Sequence, residues 1–259
     1  MCIRDRIEAY GIDKFNDLCR QSVFEYIHEW ERLTDRIAFW VDLKDAYITY
    51  NNSYIESVWW ILKSLWDKDL LYQGYKVVPY CPRCGTPLSD HEVALGYEQA
   101  TDPSVFIRLP LVDSPDTSLL VWTTTPWTLP ANVAVAAHPD VNYVKVKYNM
   151  TDGGDEYLIL AEALLSKVIA EGEIKIVDKF KGKHLKGKRY KPLYTFLPTD
   201  KPAHRVVLAE FVTTEDGTGL VHMAPAFGAD DMQMAQEHDL PILMTVAPDG
   251  TFILSLIHI

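Results

Sequence analysis

Three short segments hold residues whose types and spacing could do chemistry. The first is Cys81-Pro82-Arg83-Cys84-Gly85. Two thiols separated by two residues can grip one tetrahedral metal, with zinc the natural guest, and a glycine after them lets backbone N–H groups turn toward the sulfurs. Four ligands are needed and two are certain; His91 is a candidate third, Asp90 or Glu92 a weaker fourth, and there is no second C-x-x-C pair. A metal-free structural relic and a redox pair are the rival readings. A redox pair would sit at a helix start, and Gly85-Thr86-Pro87 begins a helix poorly.

The second segment, Thr123-Thr124-Thr125-Pro126-Trp127-Thr128-Leu129-Pro130-Ala131-Asn132, places four threonines within six residues, with two prolines. Prolines exclude a central strand. The hydroxyls and freed N–H groups suit a place where a polar substrate is held or a water is steered; an ordinary Thr/Pro turn is the plain alternative. The third segment runs from Asp216-Gly217-Thr218-Gly219 through Leu220-Val221-His222 to a Pro/Gly loop and then Asp230-Asp231. A glycine turn feeds a strand ending in His222, and the loop delivers two acids to a helix start. Acids there cap free N–H groups and favour the dipole, which suffices for Asp230. Asp231 could instead face a pocket and pair with a cation. A lone strand histidine is commonly a core residue. The loop lacks the G-K-[ST] ending of a phosphate-binding P-loop.

These segments need elements to hold them. Apolar spacing predicts one helix over 13–36 with Asp13 as its N-cap, and a second from Ser53, where Ser53 and Glu56 have capping-box spacing, fading near Asp69. A short strand over 76–80 should enter the cysteine knuckle. After about residue 92 the texture turns to short β-type runs: 105–109, 119–122, 133–137, 143–148, 157–160, 174–180, 206–211 and 219–222. Turn chemistry separates them, as at Asp152-Gly153-Gly154 and Glu215-Asp216-Gly217, and two helices interrupt them at 161–170 and 230–238. Many short strands with few helices indicate a barrel-like β domain.

A chain of 259 residues, 48% hydrophobic and 24% charged, has the composition of a globular protein with a core. No apolar run reaches the ~18–20 residues of a membrane helix, and the charged start is no signal peptide. Four cysteines are too few for a disulfide scaffold, so a reducing, cytoplasmic setting is expected. A net charge of −11 argues against a strong non-specific nucleic-acid binder, yet seven Lys/Arg and no acid occupy residues 179–191. That run is either a solvated hairpin or a contact strip for an RNA backbone.

Together the segments resemble the class I isoleucyl-tRNA synthetases over roughly residues 7–252. Glu29-Trp30-Glu31, Phe39-Trp40-Val41-Asp42 and Tyr54-Ile55-Glu56-Ser57-Val58-Trp59-Trp60 are similar to the helices after the first half of that family's ATP-binding domain. The run from Tyr80 to Ser89 is similar to the zinc-bearing stem of its inserted connective peptide. The T-T-T-P-W-T-L-P-A-N and G-T-G-L-V-H-M-A-P-A-F-G runs are similar to the two walls of its editing pocket. Valyl and leucyl enzymes carry an arginine and an acid where this chain has Thr125 and Trp127. The family's H-I-G-H and K-M-S-K-S motifs and its second C-x-x-C pair are absent.

The resemblance implies a mixed α/β fold: a helical remnant of a Rossmann-type catalytic domain (7–80), a zinc-knuckle stem (81–92) and a β-barrel-like editing domain (93–252). Residues 1–6 and 254–259 continue no visible pattern and are expected to be non-native ends. The resemblance also implies hydrolysis of mischarged valyl-tRNA(Ile), with Asp231 holding the substrate ammonium and Thr123, Thr124 and Thr125 positioning ester and water. Thr128 and His222 would set the size of the side-chain pocket, and Trp127 and Asn132 would shape and brace the loop. Cys81 and Cys84 would carry part of a structural zinc site. ATP and magnesium would serve the parent enzyme only, and the partners would be tRNA(Ile) and the missing halves of the synthetase. A tRNA-binding module without hydrolysis and an inactive fragment are the competing readings. A free-standing editor fits poorly with the helices before residue 90. All of this requires the threonine run and the glycine-led strand to wall one small cavity with a carboxylate on its rim.

Overall fold

The computed structural model describes residues 4–149, 155–169 and 174–253. The turn expected at 152–154, Ala170 and the end 254–259 lie outside the described residues. The chain divides into two units, 1–75 and 76–259.

The first unit is helical: α1 (Arg4–Tyr10), α2 (Ile12–Ser22), α3 (Ile27–Arg36), a 3₁₀ turn at Leu43–Asp45, and α4 (Asn52–Trp66). The single helix expected over 13–36 is two. At the break the N–H groups of Phe24, Glu25 and Ile27 bond three residues back, and the Ser22 hydroxyl turns onto the Cys19 carbonyl, so the α-ladder lapses into a tighter turn. Asp13 is not a cap; it lies in the first turn of α2, where the dipole favours an acid. The capping box expected at Ser53 is also displaced: Asn51 holds the N-cap position of α4, and the Ser53 carbonyl accepts from the Ser57 hydroxyl. Helices α2, α3 and α4 bury none of their residues, and Trp30, Trp59 and Trp60 remain exposed.

The second unit begins with a small hairpin of β1 (Tyr80–Cys81) and β2 (Thr86–Pro87). The strand expected over 76–80 shrinks to its last residue, because only Tyr80 and Cys81 find ladder partners. A capping box does form just beyond, at the start of α5 (Asp90–Leu95), where Ser89 and Glu92 exchange hydrogen bonds.

Eight strands follow: β3 (Val105–Pro110), β4 (Thr117–Thr123), β5 (Ala134–Ala137), β6 (Asn142–Asn149), β7 (Asp155–Ala161), β8 (Lys175–Lys181), β9 (Arg205–Leu208) and β10 (Leu220–Met223). Glu162–Leu164 and α6 (Leu165–Val168) follow β7, and α7 (Ala229–His238) follows β10. They form one mixed sheet in the order β8-β6-β7-β4-β10-β5-β9, with β3 on the other edge of β4. The run expected to reach residue 211 ends at Leu208, after which the Ala209 N–H bonds the Ala137 carbonyl.

The sheet curls because β4 serves two neighbours along one edge. Its first residues pair with β7 and Trp122 pairs with Val221 of β10, while β3 covers its other edge. Residues 189–190 then join the two sides of the curl: Arg189 bridges Arg205 of β9, and Tyr190 bridges Leu111 just past β3. The strands β3, β4, β10, β5 and β9 thus come round on themselves, which removes exposed edges. Leu119, Val121, Val135, Tyr143, Tyr190 and Leu220 fill the interior. A second cluster beneath α7 includes Val133, Met223, Met234 and Leu240.

A second close approach lies at Gly182, in the turn after β8. A Cβ there would overlap the His138 carbonyl and lie 2.8 Å from the Tyr143 ring. Tyr143 cannot retreat, since its hydroxyl donates to the Gly219 carbonyl at 2.6 Å and accepts from the His138 N–H at 3.0 Å. Gly182→Ala should therefore lower stability by ~1–3 kcal/mol, seen as a melting temperature several degrees lower; an unchanged melt would show that the contact yields freely.

Candidate functional site

Strand β4 ends at Thr123, and the chain turns through Thr124 and Thr125 into a 3₁₀ segment, Pro126–Ala131. Because β10 lies parallel to β4 with Val221 opposite Trp122, His222 comes beside the threonine run. The loop after β10 then folds back and starts α7. The result is a cavity of about 290 Å³, lined by Trp122, Thr123, Thr124, Thr125 and Thr128 on one side and by Val221, His222, Ala224, Phe227, Gly228 and Asp231 on the other. Segments some ninety residues apart thus wall one space.

The threonine side is a chain of hydroxyls. Thr123 Oγ1 accepts the Thr125 N–H at 3.1 Å and lies 3.2 Å from Thr125 Oγ1. Thr128 Oγ1 donates to the Thr125 carbonyl at 2.8 Å and meets His222 Nε2 at 2.7 Å. His222 is buried, and burial pulls its imidazole down to about 4, so the ring is neutral at ordinary pH. Thr128→Val should therefore leave His222 Nε2 without its partner and cost ~1–3 kcal/mol of stability. Urea unfolding would show this, and an unperturbed midpoint would deny the bond its weight.

Asp231 stands in the first turn of α7, with Oδ2 accepting the Ala224 N–H at 2.8 Å. Gly228 makes the approach possible: a Cβ there would come within 3.0 Å of the carboxylate. Burial raises the Asp231 pKa, Asp230 nearby adds to the rise, and the Ala224 bond opposes both. Among the described residues no Lys or Arg pairs with Asp231. Asp230 is exposed, as a helix-start acid would be.

Two other expected site residues lie elsewhere. Trp127 is half-exposed and stacks edge-on with Phe227 at 5.2 Å, clasping the two walls from outside. Asn132 is buried behind His222, with Nδ2 3.1 Å from Nδ1 of the ring and 2.9 Å from the Ala134 carbonyl. Tyr190, whose hydroxyl donates to Asn132 Oδ1 at 2.7 Å, was not among the expected site residues. It stands within the lysine-rich run, and only the curl of the sheet buries it.

In the knuckle, the Cys84 N–H reaches Cys81 Sγ at 3.4 Å, and this bond leads in lowering the Cys81 thiol pKa. Glu92 is engaged by Ser89, which holds its carboxyl below the usual range. Among the described residues no third His, Cys, Asp or Glu joins the two sulfurs. Two thiols are half the donor set of a structural zinc, so the residues present do not complete a metal site. The basic run lies along the end of β8 and the strap that follows. Lys179 pairs with Glu162 and Lys188 with Asp113, while Lys183, Lys186, Arg189 and Lys191 are exposed. No helix among the described residues is long and apolar enough to cross a membrane.

A family model described as tRNA synthetases class I (I, L, M and V) matches residues 2–229. An isoleucine–tRNA ligase of Thermus thermophilus is 53% identical over 249 residues, covering 94% of this chain and 23% of that protein. One of Clostridium acetobutylicum is 48% identical over 250 residues, covering 96% and 24%. The chain therefore spans about a quarter of the length of the curated relatives it matches. Among solved structures, the P. knowlesi cytosolic leucyl-tRNA synthetase editing domain overlays with a TM-score of 0.44 at 15% identity, covering 56% of this chain and 66% of that one.

Proposed function

The chain belongs to the class I tRNA synthetases (I, L, M and V), and from that membership we propose that its cavity hydrolyses valine from mischarged tRNA(Ile). The observation that carries the reading is an unpaired, part-buried carboxylate facing a run of threonine hydroxyls across a small cavity. An aminoacyl ester offers the complement: an α-ammonium, an ester carbonyl and a short side chain.

In this reading Asp231 takes the ammonium in a charge-assisted bond. Thr123, Thr124 and Thr125 hold the ester and the attacking water by hydroxyl and backbone contacts. Thr128 and His222 close the space around the side chain, while Trp127 and Asn132 fix the walls. Among the described residues no Ser or Cys lines the cavity, and in this reading water attacks directly, helped by orientation. The tetrahedral centre then collapses, releasing valine as the free acid and returning the ribose hydroxyl of the tRNA. No step runs through Cys81 or Cys84. The parent enzyme would join isoleucine to tRNA(Ile) with ATP, and the exposed lysines after β8 offer contacts to the RNA backbone.

The need for such a site is familiar in isoleucyl enzymes: one methylene is worth only ~1–3 kcal/mol in an apolar pocket. The test is release of amino acid from valyl-tRNA(Ile) and isoleucyl-tRNA(Ile) by the full chain. We expect valine to leave at least ~10-fold faster than isoleucine, the lower end of what one methylene confers. Retardation of tRNA without release of either amino acid would make the chain a binding module instead.

A further inference from the structure

We propose that Tyr190 is a positioning residue that sets the proton arrangement of the cavity wall: through Asn132 it holds His222 as the Nε2–H tautomer and so aims the Thr128 hydroxyl at the Thr125 carbonyl. Four side chains make one buried line. Tyr190 is 2% exposed, Thr128 4%, and Asn132 and His222 8% each.

The direction of each bond follows from its neighbours. Tyr190 Oη donates to Asn132 Oδ1 at 2.7 Å. The amide oxygen is thereby placed on the Tyr190 side, and the amide nitrogen on the side of the Ala134 carbonyl, 2.9 Å away. An amide nitrogen only donates, so the 3.1 Å contact from Asn132 Nδ2 makes His222 Nδ1 an acceptor. A neutral imidazole with one accepting nitrogen carries its proton on the other. His222 Nε2–H therefore donates to Thr128 Oγ1 at 2.7 Å. The Thr128 proton is then free to go to the Thr125 carbonyl at 2.8 Å.

Two consequences follow for the wall. His222 offers the cavity no lone pair, so it shapes the space and abstracts no proton. The Thr125 carbonyl is occupied by Thr128, which holds the turn that presents Thr123 and Thr124. Without the Tyr190 hydroxyl the Asn132 amide loses one of the two bonds that fix its orientation, the other being to the Ala134 carbonyl; when the amide turns over, the proton of His222 moves to Nδ1 and Nε2 becomes an acceptor. Thr128 Oγ1 then donates to the ring, and the Thr125 carbonyl keeps only the Thr128 N–H at 3.0 Å.

This inference rests on the editing reading for its effect on rate, but its first measurement needs no substrate. The test is nitrogen NMR of the full chain labelled at histidine, with His222 assigned by the loss of its signals in His222→Gln. The parent should show a pyridine-like Nδ1 and a pyrrole-like Nε2. In Tyr190→Phe the two signatures should exchange or average. Asn132→Asp, which faces Nδ1 with an acceptor only, should place the proton on Nδ1 even with Tyr190 intact. Deacylation of valyl-tRNA(Ile) by Tyr190→Phe should fall about 3- to 10-fold, the weight of one hydrogen bond. A pyrrole-like Nδ1 in the parent, or an unchanged ring in Tyr190→Phe, would overturn the proposal. A switched ring with an undiminished rate would overturn its positioning role. A parent ring as described in a chain that releases no valine would sink the editing reading and leave the tautomer lock standing.

Discussion

Asp231→Asn should reduce release of valine from valyl-tRNA(Ile) by about a hundredfold while leaving the molecule folded. A charge-assisted hydrogen bond is worth ~1.5–3 kcal/mol, roughly 10- to 150-fold in rate when it anchors the reacting group. The asparagine keeps an oxygen for the Ala224 N–H, now 2.8 Å from Asp231 Oδ2, so the loop before α7 retains its tie. It lacks the charge that the substrate ammonium requires. The stability effect has the opposite sign. The Asp231 pKa is raised by burial and by Asp230, so the folded state resists its ionisation. A carboxyl of that kind lowers stability as pH rises from the unfolded value through the raised folded one. Asp231→Asn should therefore melt no lower than the parent at neutral pH. A variant that keeps full activity removes Asp231 from the ammonium site; one that unfolds makes the residue a structural cap.

The second large effect is in acid. Burial takes the His222 pKa from 6.5 to about 4. The unfolded chain binds this proton as pH falls below 6.5, while the folded chain refuses it until about 4. Stability is thus full above 6.5 and declines toward 4, by about 3 kcal/mol at ~1.4 kcal/mol per unit. Asp231 works against this loss over part of the window, because its raised pKa lets the folded state take a proton first. His204, also lowered by burial, works with it. The difference between parent and His222→Gln isolates the ring. In urea unfolding followed by the circular dichroism of the sheet, the parent's stability advantage should shrink by about 3 kcal/mol between pH 7 and pH 4. An advantage that stays constant across that range would mean that His222 is solvated.

The β unit was legible in the chain because its signals are local. Runs such as Leu119–Trp122 and Tyr143–Tyr148 alternate or cluster apolar residues between turn residues, and each forms a strand within a residue or two of its expected limits. The two cavity walls were legible as well, since their threonines, glycines and acids sit in unbroken motifs. What was not legible depends on local competition for the backbone and on tertiary partners. Asp13 and Ser53 have the chemistry of caps, yet Gly11 and Asn51 occupy those positions. Periodicity through Ser22 and Tyr26 suggested a continuous helix, and hydrogen bonding to nearby carbonyls broke it. Tyr190 sits among lysines that mark a solvated strap, and its burial arises only because residues 189–190 bridge β9 to the chain beyond β3. Asn132 read as a brace of its own loop; its contact with His222, ninety residues on, needed β10 to lie beside β4.

In the proposed reaction Asp231 and the threonine run act on one bound aminoacyl group. The most direct measurement is a crystal structure of the full chain with valine joined by an amide to the ribose of adenosine, a mimic that water cannot cleave. The ammonium should lie within hydrogen-bond distance of the Asp231 carboxylate, the scissile carbonyl against Thr123–Thr125, and the isopropyl group against the hydrogen-bonded pair of Thr128 and His222. A ligand bound with its ammonium in solvent, or seated away from these two walls, would contradict the proposed reaction.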